Sequence, residues 1–551
     1  MAARLADLEV LFLDCQATGP ASRDGHLLEI GWCRATAVNA ADAPATAQLV
    51  ALPAGQRIPP RVRELTGISG FDLRGAPGPE LAWDAMVSRP SAIPVATAIH
   101  YSRFEEPFLR QLHQSLCPGG DFPLDIVCTN QIARRLLPEL PRRTLRALAG
   151  YFGRSVGKLR RSREHVAATA FVWGELVGLL SERERIETWS ELRTWLAGPS
   201  VGRRARVYPM PREVRLALPD RPGVYRMHRQ GGQLLYVGKA TSLHRRVNSY
   251  FQKQARVHER TLEMLTQARG LSFLPTESAL EAALVEADEI KRFSPPYNVA
   301  LSPADRRLCF ASRDLLRTGE RADEVHRIGP IPSREAVASL AGLGRVLEGR
   351  SRPGAAEVLG VPRSSAPDAG SFAAGIEVFT AAHPEALGGR LGALLRLGTR
   401  LWRDGLDAEP LDPDDSAPRP AERRWDPPTV ARQLEEVVAR ATHALRRARW
   451  LCLLGESALR WREAERVRIL VLDGGEIASC RDASDGEHAP VPPGFRRTTL
   501  ERQRAFTLAS FDRMRVLTTE LRRIADPSIE VRLGPRALLG AGRLARVLRW
   551  V

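Results

Sequence analysis

No run of roughly twenty apolar residues, the length a helix needs to cross a bilayer, occurs in the 551 residues, so no membrane span is expected. Cysteine is sparse and scattered: Cys15, Cys33, Cys117, Cys128, Cys309, Cys452 and Cys480 are odd in number and include no Cys-x-x-Cys. That excludes a disulfide framework and a thiolate zinc or iron–sulfur site, and it suits a reducing cytoplasm. The opening MAARLADLEVLFLD contains Asp7, Glu9 and Asp14 and lacks a small-residue cleavage site, so no signal peptide is expected. Negative charge is also in deficit. Against 64 Asp and Glu stand 81 Lys and Arg, a net charge of +17. The surplus, mostly arginine, favours a polyanionic partner, most simply nucleic acid. An Arg-rich composition imposed by GC-rich DNA would give the same surplus without any partner.

The length predicts three or four domains of ~150 residues, and the pattern is that of an α/β multidomain chain. Residues 1–185 alternate strand-like and helix-like stretches, with EVLFLD and HLLEIGWCRATAV as neighbouring strands and EEPFLRQLHQSL and HVAATAFVWGELVGLL as helices. Residues 186–211 read as a charged connector. Residues 212–302 form a small α/β unit in which GVYRMHRQGGQLLYVGK folds as two strands around a QGGQ turn. Residues 303–405 are mixed, 406–428 read as a Pro/Asp-rich linker, and 429–551 as a further α/β region with a helix in TVARQLEEVVARATHALRRARW and a hairpin in RVRILVLDGGEIASC. No internal repeat is visible.

The sharpest pattern lies in the small unit. GVY and YVG place Tyr225 and Tyr236 eleven residues apart on two strands, an arginine-bearing helix follows, and Glu286 lies on a later helix. Alone, a strand tyrosine is usually core and a glutamate in so polar a helix is usually solvated. The ordered combination overrides both. LPDRPGVYRMHRQGGQLLYVGKATSLHRRVNSYF and TESALEAALVEADEIKRFSPPYNVAL resemble the GIY-YIG nucleases, closest to the nuclease domain of the UvrC excinuclease and its relative Cho. The resemblance implies metal-dependent phosphodiester hydrolysis, with Glu286 holding one Mg²⁺ or Mn²⁺ and Tyr225 acting as general base or orienting the water. It also implies that Arg246 binds the scissile phosphate and that Tyr236, Lys239 and Asn298 support the site. A free tyrosine has a pKa of ~10, so nearby positive charge is expected to favour the Tyr225 phenolate. Gly223 and Gly238 let backbone and substrate come close. Glu277, Glu281 and Glu289 are taken as charges of the helix face.

The first unit raises a different question. LFLDCQATG ends a strand with Asp14 and Gln16, which period-2 alternation puts on one face. With IPPRVRELTGIS, HYSRFEEPFL, CTNQIARRLLPELPRRTLRALAGYFG and REHVAATAFVWGELV, it resembles the DnaQ-like DEDD exonucleases, the family of the polymerase III proofreading subunit epsilon. That implies an RNase H-like mixed sheet and a site of four carboxylates and a histidine around two metals. Asp14 is kept and His165 matches the general base, but Gln16 stands in the glutamate position, Glu105 in an aspartate position, and Ala170, after Thr169, where another aspartate belongs. Two cations ~4 Å apart need anionic ligands; an amide offers one neutral oxygen and an alanine none. The expectation is an exonuclease shape without the chemistry. The rival is a one-metal site built from Asp14, Glu105 and Glu29 or Glu164. Arg154, Lys158, Arg160, Arg161 and Arg163, just before His165, are candidate phosphate contacts, or simply a solvated basic loop.

GPIPSREAVASL resembles the segment that follows the nuclease domain in UvrC and Cho, whereas no match to UvrC's later nuclease domain, helix-hairpin-helix domain or clustered cysteines is visible. The reading is therefore a cytoplasmic DNA-repair endonuclease, as in nucleotide excision repair, whose partners are DNA and, by resemblance alone, a UvrB-type helicase. The rivals are a dual nuclease that also trims 3′ ends, and a non-catalytic DNA-binding or recruiting protein.

Overall fold

The computed structural model describes residues 3–87, 94–199, 202, 205–252, 258–298, 307–331, 334–350, 353–404, 425–463, 465–524 and 526–549. Among these, no helix is long and apolar enough to cross a membrane.

The run VLFLDCQA is β1 (Val10–Ala17), buried along almost its whole length. It is the middle strand of a mixed sheet ordered β3-β2-β1-β4-β5, with β2 (Leu27–Ala35) antiparallel to it, β4 (Val95–Ile99) parallel, and β3 (Thr46–Leu49) and β5 (Leu124–Cys128) at the edges. Alternation divides β1 between two cores. Val10 and Phe12 pack with Trp173 of helix Ser162–Leu179, while Leu11 and Leu13 pack with Trp83 and Leu109 on the other face. Asp14 and Gln16 continue the Val10–Phe12 set, which turns them toward the helix that carries His165.

The stretch read as a charged connector contains helix Trp189–Ala197. Thr188 and Glu191 close a capping box at its start, Leu192 joins the first unit's core, and Trp189 Nε1 donates to Asp125 Oδ2 at 2.7 Å. The first unit's packing thus continues past residue 185.

In the second unit β6 (Gly223–His228) and β7 (Leu234–Ala240) pair antiparallel across Gly231 and Gly232, both at φ +81°. β8 (Gly270–Pro275) completes the order β7-β6-β8. Helix Leu243–Ser249 follows β7, and helix Ala279–Phe293 lies on the sheet through Ala282 and Ile290, which meet Val224 and Val237. Helix Glu259–Gln267 abuts helix Leu145–Tyr151 of the first unit. There Thr144 Oγ1 donates to Glu263 Oε2 at 2.8 Å, and the Arg142 amide donates to Thr266 Oγ1 at 3.0 Å.

Beyond residue 306, a small sheet β10-β9-β11 (Thr318–Gly319, Cys309–Ala311, Ile328–Ile331) is followed by helices that pack on the long helix Pro427–Leu454. Asp426 caps that helix at the Thr429 amide, with Pro427 and Pro428 in the first turn where their missing N–H groups cost nothing. Most of the proline-rich linker, 405–424, lies outside the described residues. A second five-stranded sheet, β14-β13-β12-β15-β16, contains the expected hairpin: β13 (Arg466–Asp473) and β14 (Glu476–Ala483) turn through Gly474 and Gly475. β12 is Ala458–Glu463 and β15 is Glu530–Arg532, with β16 (Leu538–Gly540) at the edge opposite β14. Helix Leu508–Arg523 packs on this sheet.

Gly238 sits opposite Tyr225 in the β6–β7 register, and a Cβ there would lie 2.4 Å from Tyr225 Oη and 2.7 Å from the Tyr236 ring. Gly238→Ala is therefore expected to cost about 1–3 kcal/mol through overpacking and to speed amide exchange across β6 and β7. Unchanged exchange would show that the tyrosines yield to the methyl group.

Candidate functional site

The β6–β7 register brings the two tyrosines together. Tyr225 is fully buried, its ring centroid 6.0 Å from that of Tyr236 and 6.2 Å from that of Tyr250, and its hydroxyl shares a 2.8 Å hydrogen bond with Tyr250 Oη. Arg246, on helix Leu243–Ser249, lays its guanidinium 5.0 Å from the Tyr250 ring centroid. Tyr250 was missed in the sequence, although its i,i+4 spacing from Arg246 was the available signal.

Burial, then the adjacent phenols of Tyr250 and Tyr236, push the Tyr225 pKa well above the ordinary phenol range, and Arg246 opposes them only weakly. Burial also raises Tyr236. The expected phenolate is therefore not favoured by the protein's own charges. One arginine does not offset the loss of water around Tyr225.

Glu286 enters from helix Ala279–Phe293. Its Oε1 accepts the Lys239 backbone N–H at 2.9 Å, which fixes the carboxylate beside the YVG strand. Burial raises its pKa, with Lys239 as the main opposing influence. Asn298 pins the same strand, accepting the Val237 N–H at 3.0 Å and donating to the Val237 carbonyl at 2.8 Å. The Lys239 ammonium points elsewhere, donating to Glu520 Oε1 at 2.6 Å, a contact with nothing in the sequence to announce it. Glu281 pairs with Arg468 and Glu289 with Arg226 as helix-face charges, whereas Glu277 lies just before the helix, ahead of its cap Ser278, and pairs with Arg221 and Arg466. A cavity of about 360 Å³ lined by Tyr236, Tyr250, Arg260 and Tyr297 opens at the cluster.

In the first unit Asp14 and His165 do meet, at 3.2 Å between Oδ1 and Nδ1, and Gln16 Nε2 donates to Asp14 Oδ2 at 3.0 Å. The amide thus occupies Asp14 where a glutamate would have added charge. Burial lowers the His165 pKa, but the hydrogen bond and charge of Asp14 outweigh it and the net shift is upward. Glu105 is buried, and its Oε2 makes no hydrogen bond among the described residues. Burial, then repulsion from Asp14, pushes its pKa well above the usual carboxylate range. Ala170 lies in the apolar core, and Thr169 is buried beside it. Asp14, Gln16, Glu105, Lys158 and His165 line a cavity of about 550 Å³, which Glu263 of the second unit also borders.

The two extra carboxylates of the one-metal alternative are engaged elsewhere. Glu29 accepts from Arg161 Nε at 2.9 Å and from the Ser162 amide at 2.7 Å, and Glu164 accepts from the Arg160 amide at 2.8 Å. Both serve the N-terminus of helix Ser162–Leu179, where backbone donors lack partners. The basic loop is likewise partly structural. Arg161 holds Glu29, and Arg154 donates to the Ala41 carbonyl at 2.6 Å and stacks on Phe171. Lys158, Arg160 and Arg163 are exposed.

A family model described as the UvrC-like GIY-YIG domain matches residues 221–299. Over 307 residues the chain is 30% identical to a Mycobacterium tuberculosis protein named "putative bifunctional exonuclease/endonuclease protein", covering 52% of this chain and 44% of that one. It is 42% identical over 151 residues to UvrABC system protein C of Sphingopyxis alaskensis, covering 25% of this chain and 22% of the relative. The chain thus spans less than half the length of these two relatives. Among solved structures, the magnesium-bound N-terminal GIY-YIG endonuclease domain of Thermotoga maritima UvrC is 32% identical, with a TM-score of 0.15, and covers 16% of this chain and 100% of that chain. Exonuclease X in complex with 5′ overhanging duplex DNA is 16% identical, with a TM-score of 0.24, over 32% of this chain and 93% of that one. The second unit of this chain is a UvrC-like GIY-YIG domain.

Proposed function

We propose that this chain is a DNA nuclease that hydrolyses one phosphodiester in one strand at the Tyr225–Arg246–Glu286 cluster. The observation that carries this reading is that Arg246 lies close enough to act on both Tyr225 and Glu286, the three coming from two helices and a strand inside the matched domain. Arg246 is the phosphate ligand, since its planar fork suits phosphate oxygens. Tyr225 keeps its proton in the free protein, so its first role is to orient the attacking water; acting as base would require positive charge arriving with the substrate. Tyr236 and Tyr250 hold that hydroxyl in place, and Asn298 keeps the β7 backbone against the cluster.

Glu286 fits a hard divalent cation. It is an oriented carboxylate whose burial disfavours its bare charge, the imbalance that Mg²⁺ or Mn²⁺ relieves. Bound there, the ion would supply Lewis-acid stabilisation of charge developing on the phosphate oxygens. Similarity to UvrABC system protein C supports nucleotide excision repair as the setting, with a UvrB-type helicase as the partner that the sequence resemblance implies. The first unit is read as a DnaQ-like exonuclease fold that binds DNA without trimming it, because Gln16 and Ala170 leave its cavity short of ligands. The retained Asp14–His165 pair favours a second reading, in which residual 3′ trimming persists.

Nicking of supercoiled DNA in Mg²⁺ or Mn²⁺ tests the main reading. Glu286→Gln is expected to lower the rate about 100-fold or more while Asp14→Ala leaves it unchanged. Equal nicking by wild type and Glu286→Gln would remove the cluster from the chemistry. Replacing Lys158, Arg160 and Arg163 together by Ala should reduce the slope of log affinity against log salt by about 2 to 3, and an unaltered slope would exclude them as phosphate contacts.

Glu105 yields a pH-dependent prediction. Its folded pKa lies above the unfolded value of about 4.3, so the folded state binds more protons and stability falls as pH rises through that value. Glu105→Gln should therefore raise the melting temperature at pH 7 and change it little at pH 4. A lower melting temperature at pH 7 would mean that the ionised carboxylate has a partner worth keeping, such as a bound cation.

A further inference from the structure

The contact between Lys239 and Glu520 joins residues 281 positions apart in sequence. Glu520 is 7% exposed, sits on helix Leu508–Arg523, and also accepts from Arg523 Nη1 at 2.9 Å. It is not carried on a detachable lid. Leu280 and Leu284 of the Glu286 helix belong to the same apolar cluster as Phe511 and Met514 of the Glu520 helix. Arg513 reaches Asp288 at 2.8 Å, and the Lys291 ammonium donates to the Ala509 carbonyl at 2.9 Å. The two helices are thus locked side by side. Lys239, meanwhile, spans both charges, its amide on Glu286 and its ammonium on Glu520.

We propose that Glu520 is a positioning residue of the nuclease site: it draws the Lys239 ammonium away from Glu286 and so leaves that carboxylate for a divalent cation. This rests on the reading of Glu286 as metal ligand. The backbone of Lys239 already sits on Glu286 while Glu520 holds its ammonium, and an ammonium released to pair with Glu286 would compete directly with a metal ion. The site of this chain is therefore completed by a helix more than two hundred residues beyond the matched domain.

Mn²⁺ binding to the full chain, measured by calorimetry, tests this without reference to turnover. Glu520→Gln is expected to weaken binding about 10-fold. Adding Lys239→Gln to it should restore affinity to within about twofold, because the competing ammonium is then gone. Lys239→Gln alone should bind Mn²⁺ at least as tightly as wild type, and this single variant decides the matter if Glu520→Gln does not fold. Wild-type or tighter binding by Glu520→Gln would overturn the proposal and mark Glu520 as a brake on the site, and so would a double variant as weak as the single one. Glu286→Gln separates the two levels. If it leaves Mn²⁺ binding intact, the metal reading itself fails; if it abolishes binding while Glu520→Gln behaves as wild type, only the role of Glu520 fails.

Discussion

Helix Ala279–Phe293 is the constraint on which the rest of the structure depends. One of its faces closes the β7-β6-β8 sheet through Ala282 and Ile290; another enters the C-terminal core through Leu280 and Leu284. A helix with two apolar stripes must be covered on both sides. That requirement fixes Glu286 against the YVG strand and at the same time fixes the C-terminal region against the nuclease unit. Ion pairs then set the register of the contact, with Arg468 to Glu281 and Arg513 to Asp288 both directed from nearly buried guanidiniums.

The two units differ in how the carboxylates of their candidate sites are employed. In the first unit the acids around the cleft are either absorbed as caps, as with Glu29 and Glu164, or left with little compensation, as with Glu105. In the second unit neighbouring acids are matched by arginines, and Glu286 is held by a backbone amide, which orients the carboxylate without neutralising it. A carboxylate oriented by a neutral donor suits a cation that must arrive with its waters and the substrate's oxygens.

Much of this was legible in the sequence because it depends on local pattern. β1 and β2 followed from apolar runs, the β6–β7 hairpin from QGGQ, the β13–β14 hairpin from Gly474-Gly475, and the 427–454 helix from its periodicity. That Gln16 and Ala170 carry no carboxylate was visible as identity alone. What was not legible depends on long-range partners. Helix Trp189–Ala197 looked like a connector because its charged residues hid one buried leucine, though Thr188 and Glu191 carried a capping signal. The high pKa of Tyr225 comes from burial, which no motif reports. Arg161 looked like a DNA contact until Glu29, on a strand far earlier in the chain, was found beneath it. Glu520 had no motif at all.

Under the proposed function, cleavage happens within a strand, at the tyrosine cluster, and not from an end in the first unit's cavity. The most direct measurement is the time course of product lengths from a strand labelled at its 5′ end, cut by the wild-type protein in Mg²⁺ or Mn²⁺. An internal fragment is expected to appear at once at its final length, without intermediates. A ladder that shortens from the 3′ end one nucleotide at a time, and persists in Glu286→Gln, would contradict it.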